Sequence, residues 1–403
     1  MNVRDPAFLE RHVRDTMAFY HPRAIDPHGG FFQYFRDDGS VYDADHRHLV
    51  SSARFVVTYA RYARQHARQA DQAEYRHWAR HGLKYLEQAH FQTRHQGYAW
   101  TLRHGEVEDG THHCYGLAFV LLAYAEAFRG GILEAREGIA RTHALLDKHF
   151  WQPQWQRFAD EADPHWHLSD YRGQNANMHG CEALISAFEA TGDRRYLDQA
   201  MAIAAAITGA NRDHVHGWIW EHYDTQWRRD LDYNRDDPKH LFRPWGYQVG
   251  HQTEWAKLLV LLSHHRDDAW LIPTAERLFL SAADAGWDRH HGGLVYGLDL
   301  DGKVCDGDKY FWVQAESFAA AALLAEATGK AVYWRWYETL WDYSWQHMID
   351  HRFGAWYRIL SAENRSYSDE KSPAGKVDYH TMGACQDVLA VLARRAPGHV
   401  SRR

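Results

Sequence analysis

Two histidines, His251 and His380, stand where acid–base chemistry would need them. His251 opens the run His251-Gln252-Thr253-Glu254, and a histidine and a glutamate three residues apart share one helical face. A carboxylate there fixes the imidazole tautomer and supports the protonated ring. A helix N-terminus pulls the other way, and the balance lies near neutrality, where a proton shuttle works best. His380, in Asp378-Tyr379-His380, and His179, in Asn175-Ala176-Asn177-Met178-His179, offer a second imidazole to face it. The HxxE spacing also occurs at metal centres, which need His and carboxylate ligands in close geometry with an open position. Neither HExxH nor a DxDxDG loop is present, so neither metal nor cofactor is expected. Hydrolysis of a glycoside needs two carboxylates about 5–10 Å apart. Glu221, Glu254 and Glu316 are available for it, but facing histidines suit proton transfer better. A third class, a carbohydrate-binding protein without catalysis, would bind sugar and turn nothing over.

These residues need elements that bring them together, and the hydropathy pattern supplies twelve helical segments. Six begin near residues 46, 111, 174, 247, 311 and 379 and are small-residue-rich and apolar nearly all round, as buried helices are. Six others begin near 5, 73, 132, 194, 268 and 331 and carry charge on one face. Between each outer helix and the next inner one lies a turn-rich aromatic stretch, such as Gly97-Tyr98-Ala99-Trp100-Thr101-Leu102 or Gly217-Trp218-Ile219-Trp220-Glu221-His222, which reads as a short β-hairpin. The unit of outer helix, hairpin and inner helix recurs six times, with a period of roughly 65 residues, and such units share a core only when stacked together. The expected fold is all-α, a single (α/α)6 barrel over residues 1–403, with six inner and six outer helices and hairpins at one end.

In such a ring the inner helices run parallel, so their first turns converge on one pocket. Those turns carry Arg54; His112, His113 and Tyr115; Arg172, Asn175, Asn177 and His179; Arg243, Trp245, His251 and Glu254; Lys309, Trp312, Gln314 and Glu316; and Asp378, Tyr379 and His380. The positive helix ends point there too and favour developing negative charge. Composition agrees with a sugar site: 18 Trp, 23 Tyr and 17 Phe exceed what a core of this size requires, and aromatic faces line concave ligand sites. The net charge of −7 without a basic block argues against nucleic acid. No apolar run approaches the ~20 residues of a membrane span, and Met1-Asn2-Val3-Arg4-Asp5 leads into no apolar signal core. Four scattered cysteines (Cys114, Cys181, Cys305, Cys385) fit a reducing cytoplasm. The segment 369–377 combines Pro, Gly and charge and reads as either a moving lid or a solvated loop.

The chain resembles the N-acylglucosamine 2-epimerase superfamily. The resemblance is carried by Ser52-Ala53-Arg54, Tyr171 to His179, Arg243-Pro244-Trp245-Gly246-Tyr247-Gln248-Val249-Gly250-His251-Gln252-Thr253-Glu254-Trp255, Trp312-Val313-Gln314-Ala315-Glu316 and Asp378-Tyr379-His380. It implies the same (α/α)6 barrel, with His251 and His380 as the acid–base pair. By the same resemblance Arg54, Tyr115, Asn175, His179, Arg243, Glu254, Lys309, Trp312 and Glu316 contact the sugar or support it. The Asn-Ala-Asn-Met-His run points to the aldose–ketose isomerase branch, hence to D-mannose and D-fructose, with D-lyxose and D-xylulose as further substrates. The alternative is a 2-epimerase acting on mannose and glucose, on cellobiose or on an N-acylglucosamine. Leu241 and Val50 stand where some isomerases carry an arginine and an aromatic residue, which favours a neutral hexose over a sulfonated one. The implied partner is a monosaccharide, with no nucleic acid and no membrane, and the protein is expected as a monomer or homodimer.

Overall fold

Inner and outer helices alternate along the chain as the periodicity predicts. The computed structural model describes residues 2–210, 213, 215–240 and 242–395; Leu241 lies outside the described residues. The outer helices are α1 (Pro6–Tyr20), α3 (Gln72–Tyr85), α5 (Ala135–His149), α7 (Arg194–Ala205), α9 (Leu271–Gly286) and α11 (Ala331–Tyr343). The inner helices are α2 (Leu49–Gln65), α4 (Cys114–Arg129), α6 (Gln174–Thr191), α8 (Val249–Ser263), α10 (Phe311–Thr328) and α12 (Tyr379–Arg395). Three inner helices begin two or three residues later than the periodicity suggests, because His46–His48, His112–His113 and Tyr247–Gln248 are short strands running straight into them.

The inner helices pack in a closed ring, α2 on α4, α6, α8, α10, α12 and back to α2. Each inner helix also packs on the outer helix that follows it, and α12 closes the outer layer by packing on α1. The sequence explains this burial. In α10, Ala319, Ala320, Ala321 and Ala322 stand beside Phe318, Leu323 and Leu324, all buried, so the helix has no solvent face to keep polar. Among the described residues no helix is long and apolar enough to cross a membrane.

At the N-terminal end of the inner helices, antiparallel strand pairs stitch each repeat to the next. His46–His48 pairs with Thr101–Arg103, His112–His113 with Glu161–Ala162, and Arg172–Gly173 with His222–Tyr223. Tyr247–Gln248 pairs with Gly297–Leu298, Lys309–Tyr310 with Ile359–Leu360, and Tyr34–Arg36 with Glu370–Ser372, which joins the first repeat to the last. The segment 369–377 is therefore not a solvated loop, and its Ala374, Gly375 and Lys376 line a cavity at this end of the ring. It is the closing strand and the turn after it, held by Ser372 Oγ on Gln33 O (2.9 Å) and by Gly375 N on Ser51 Oγ (2.9 Å).

A recurring amide locks hairpin to helix. Asn177, Gln252 and Gln314 each occupy the fourth position of an inner helix. Each side-chain oxygen accepts from the backbone N–H of one residue in the preceding connection, Phe158, Ile219 or Leu294, and each side-chain nitrogen donates to the same residue's carbonyl. Both backbone groups are buried, and leaving a buried donor or acceptor unpaired costs about 1–3 kcal/mol. Gln314→Leu is accordingly expected to destabilise the fold by about 2–4 kcal/mol, read as a lower denaturation midpoint in urea; an unchanged midpoint would refute the locking role.

Candidate active site

The inner-helix N-termini open on a solvent-connected cavity, the kind of concave place where small molecules bind. Of the eleven residues expected at the site, Arg54, Tyr115, Asn175, His179, His251, Glu254, Trp312 and His380 line it. The Trp312 ring neighbours both expected acid–base groups, with its centroid 5.0 Å from His251 and 5.9 Å from His380. Gly250 makes room for it: a Cβ at that position would stand 2.5 Å from the Trp312 ring.

Five imidazoles line the cavity, those of His48, His179, His222, His251 and His380, and the last two and His179 are each anchored through Nδ1 to a buried carboxylate. His251 Nδ1 meets Glu221 Oε2 at 2.8 Å, His380 Nδ1 meets Glu316 Oε1 at 2.6 Å, and His179 Nδ1 meets Glu182 Oε2 at 3.0 Å. With an ionised carboxylate as partner Nδ1 carries the hydrogen, so in the neutral ring Nε2 is the basic atom. Among the described residues no protein group hydrogen-bonds Nε2 of any of the three. The i,i+3 argument thus applies to His179-Gly180-Cys181-Glu182 rather than to His251 and Glu254. The partner of His251 comes instead from the connection before α8, because Glu221 reaches its Nδ1 while Glu254 turns toward the axis, between His179 and His380.

The floor is a dense set of charges. Lys257 ion-pairs with the Glu316 oxygen that faces away from His380, and Tyr379 OH donates to Glu182. Burial works against ionisation of Glu182, but the His179 hydrogen bond, Lys257 and Arg61 hold its carboxyl well below the usual carboxylate range. Burial, then Glu316, push the Glu254 carboxyl well above it, and Glu254 Oε2 is buried without a hydrogen-bond partner. Burial, then Arg54, the neighbouring His179 imidazole and Lys257, keep His380 well below the ordinary imidazole value. Two overlapping sets, His179–Glu182–Glu254 and Glu254–Glu316–His380, bring ligand atoms within 4.8 Å of one another and could share a cation. The cationic place beside Glu316 is filled by the Lys257 ammonium. Arg54 sits in the wall between aromatic rings, 4.3 Å from the Phe119 centroid, donating to Tyr115 OH at 3.0 Å and to the Gly375 carbonyl.

Three expected residues stand outside the wall. Lys309 precedes Tyr310 on a strand whose alternate side chains face opposite ways. Tyr310 faces the cavity, while Lys309 is fully buried and donates to Asp288 (2.8 Å), Gly307 O and Ala362 O. Arg243 lies behind Tyr171, 3.8 Å over its ring, bound to Glu161 at 2.5 Å and Tyr233 at 3.1 Å. Glu316 lies beneath the cavity, hydrogen-bonded to His380 Nδ1. Of the other first-turn residues, Asn177 and Gln314 serve the hairpin locks, and His112 stacks on Trp166 at 4.0 Å. Conversely His48, Tyr171, Tyr296, Tyr310, Arg358 and Lys376 line the cavity. Tyr171 and Tyr310 fall beside motifs visible in the sequence, and Glu182 repeats the HxxE spacing of His251. Arg358 and Lys376 come from long-range strand pairing, which no local signal announces.

A family model described as N-acylglucosamine 2-epimerase matches residues 30–384. The chain is 54% identical over 393 residues to the D-mannose isomerase of Marinomonas mediterranea, covering 96% of this chain and 97% of that one. A crystal structure of D-mannose isomerase superposes with a TM-score of 0.93 at 53% identity, covering 97% of this chain and 99% of the other. The cellobiose 2-epimerase of Bacillus thermoamylovorans superposes with a TM-score of 0.84 at 18% identity, covering 95% of this chain and 99% of that one; at that identity the likeness shows a shared fold.

The buried Glu254 makes stability depend on pH in a defined direction. Its carboxyl keeps its proton when folded, while in the unfolded chain it ionises above about pH 4.3. The folded state then binds more protons, so this contribution is present at low pH and is lost as pH rises. Glu254→Gln should therefore have a higher Tm than the native chain at about pH 7–9, with the gap closing toward about pH 4. Thermal melts across that range check this, and a gap independent of pH would contradict it.

Proposed function

The chain belongs to the N-acylglucosamine 2-epimerase family, and from that premise we propose that it is an aldose–ketose isomerase interconverting D-mannose and D-fructose through a cis-enediolate. The observation that carries the chemistry is the pair His251 and His380, 5.0 and 5.9 Å from the Trp312 ring, with Nδ1 anchored and Nε2 free among the described residues. The choice of sugar rests on the 54% identity to the M. mediterranea D-mannose isomerase. D-lyxose and D-xylulose differ from this pair only at the far end of the sugar and belong to the same reading.

The C2 proton of an aldose is acidic enough to remove only in the open-chain form. His251, as acid, gives a proton to the ring oxygen and in exchange takes up the anomeric hydroxyl proton, opening the pyranose with its own charge restored. His380, held neutral, takes the C2 proton with Nε2. Negative charge then grows on O1 and O2, where Arg54 and the inner-helix N-termini stabilise it. Return of the proton from His380 to C1, with the O2 hydroxyl proton passed to O1 through His251, gives the ketose. Trp312 offers its face to the sugar C–H groups, and Glu254, protonated and otherwise unpartnered, is free to hydrogen-bond a hydroxyl. Arg243, Lys309 and Glu316 act in this scheme from behind the wall, on Tyr171, on the strand edge and on His380. The protons come from the chain's own imidazoles, and the 403 residues act as one catalytic domain. The four free cysteines support a cytoplasmic setting, and the protein works as a monomer or homodimer, which size-exclusion chromatography decides.

A 2-epimerase reading has one observation of its own: the His179 ring stands 6.1 Å from that of His380, so a second imidazole is at hand to return the proton to C2 from the other face. Incubation with D-mannose in deuterated water, followed by NMR, separates the two. Fructose carrying deuterium at C1 supports the isomerase; glucose carrying deuterium at C2 supports the epimerase; no turnover overturns both. His380→Asn should lower kcat about 10²- to 10⁴-fold with KM changed only a few-fold, and retention of native kcat would remove His380 from the mechanism.

A further inference from the structure

The two dyads of the mechanism differ in what stands behind the carboxylate. Behind Glu316 is an ammonium: Lys257 ion-pairs with the oxygen that His380 does not use, and the side chains of both are almost fully buried. Behind Glu221 is an amide. Gln174 Nε2 donates to Glu221 Oε2 at 2.8 Å, the same oxygen that meets His251 Nδ1, and Gln174 Oε1 accepts from Trp255 Nε1 at 2.7 Å. Gln174 and Trp255 are fully buried and Glu221 nearly so.

We propose that Lys257 and Gln174 are positioning residues that give the two imidazoles opposite duties, a cation behind Glu316 leaving His380 the proton acceptor and a neutral amide behind Glu221 leaving His251 the proton donor. The argument is charge balance in a buried site, where net charge is costly. Neutral His380 with ionised Glu316 and Lys257 sums to zero, and protonating His380 adds a positive charge on the Lys257 side. Asp387, 4.0 Å from Lys257 on its other side, offsets part of that charge, although burial pushes its carboxyl up to about 6. Ionised Glu221 with neutral Gln174 carries a net negative charge, which a protonated His251 cancels. Other charged groups reinforce the first half. Arg54, His179 and Lys257 face His380 and oppose its protonation, with Glu182 opposing them, while the neighbouring Glu254 carboxyl stays protonated. Around His251 stand Glu221, the His222 imidazole next to it in the chain, His179 across the cavity and the Trp312 ring. The sequence alone points to neither Lys257 nor Gln174 as part of the site.

This inference rests on the isomerase reading of the same chamber, and its test reads the imidazoles without turnover. In protein labelled with ¹⁵N-histidine, sugar-free at pH 7, His380 should give the neutral Nδ1–H pattern and His251 the protonated one. Lys257→Gln places a neutral amide behind both carboxylates, so His380 should titrate at least about one pH unit higher. The acid limb of the kcat/KM profile should move up with it, and Lys257→Arg should restore both. A shift of the limb without a change in His380 titration, equal charge on the two rings in the native protein, or no shift in Lys257→Gln would each overturn the proposal. Should Lys257→Gln fail to fold, the native spectrum decides alone. Absence of mannose turnover, by contrast, would sink the isomerase reading while the titrations still report on the relay.

Discussion

The hydrogen bond between an imidazole Nδ1 and a buried carboxylate is the interaction on which the rest of this molecule depends. A histidine without it rotates and titrates freely; with it, one nitrogen is committed and the other is aimed. The three bonds are made in three ways. Glu182 lies one turn along the same helix as His179, Glu316 lies on the inner helix beside that of His380, and Glu221 lies in the connection before the helix of His251. Only the first is a local event. The bond of His380 requires neighbouring repeats to keep their register, and that of His251 requires the connection and the helix of one repeat to keep theirs, each to within a few tenths of an ångström.

The ring provides that register. Strand pairs join every repeat to the next at the end where the chemistry is, and the amides of Asn177, Gln252 and Gln314 tie three of the connections to the first turns of their helices. Glu221 sits two residues after Ile219, the backbone held by Gln252, and Gln252 is the neighbour of His251 in α8. One amide thus fixes the acid and its carboxylate together. Around this end the inner helices are apolar, so ionised groups gather where the helices begin and where cations and helix dipoles meet them.

Much of this was legible in the sequence. Helical periodicity located all twelve helices, since apolarity all round against apolarity on one face is a strong and local contrast. The convergence of first turns on one pocket followed from the ring, and eight of the expected side chains do line it. What the sequence concealed was direction and distance. Strand alternation turns Lys309 inward to Asp288 and leaves Tyr310 at the cavity, a distinction that depends on where a two-residue strand starts. Arg243 is drawn behind Tyr171 by Glu161, which lies 82 residues away in the chain. The spacing of His251 and Glu254 suggests a pair, yet an identical spacing makes one only at His179 and Glu182, because a competing carboxylate reaches His251 first. The closing strand Glu370–Ser372 pairs with residues more than three hundred positions away, and nothing in its own composition identifies that partner.

That closing strand has a consequence for how the protein comes into being. The strand that shuts the ring, the backbone carbonyl that holds Arg54, and His380 itself all lie beyond residue 369. Until residue 380 has been added, a growing chain lacks the closing strand, the carbonyl that holds Arg54 and the His380 imidazole together, so the seal of the ring and the proposed base arrive with the same repeat.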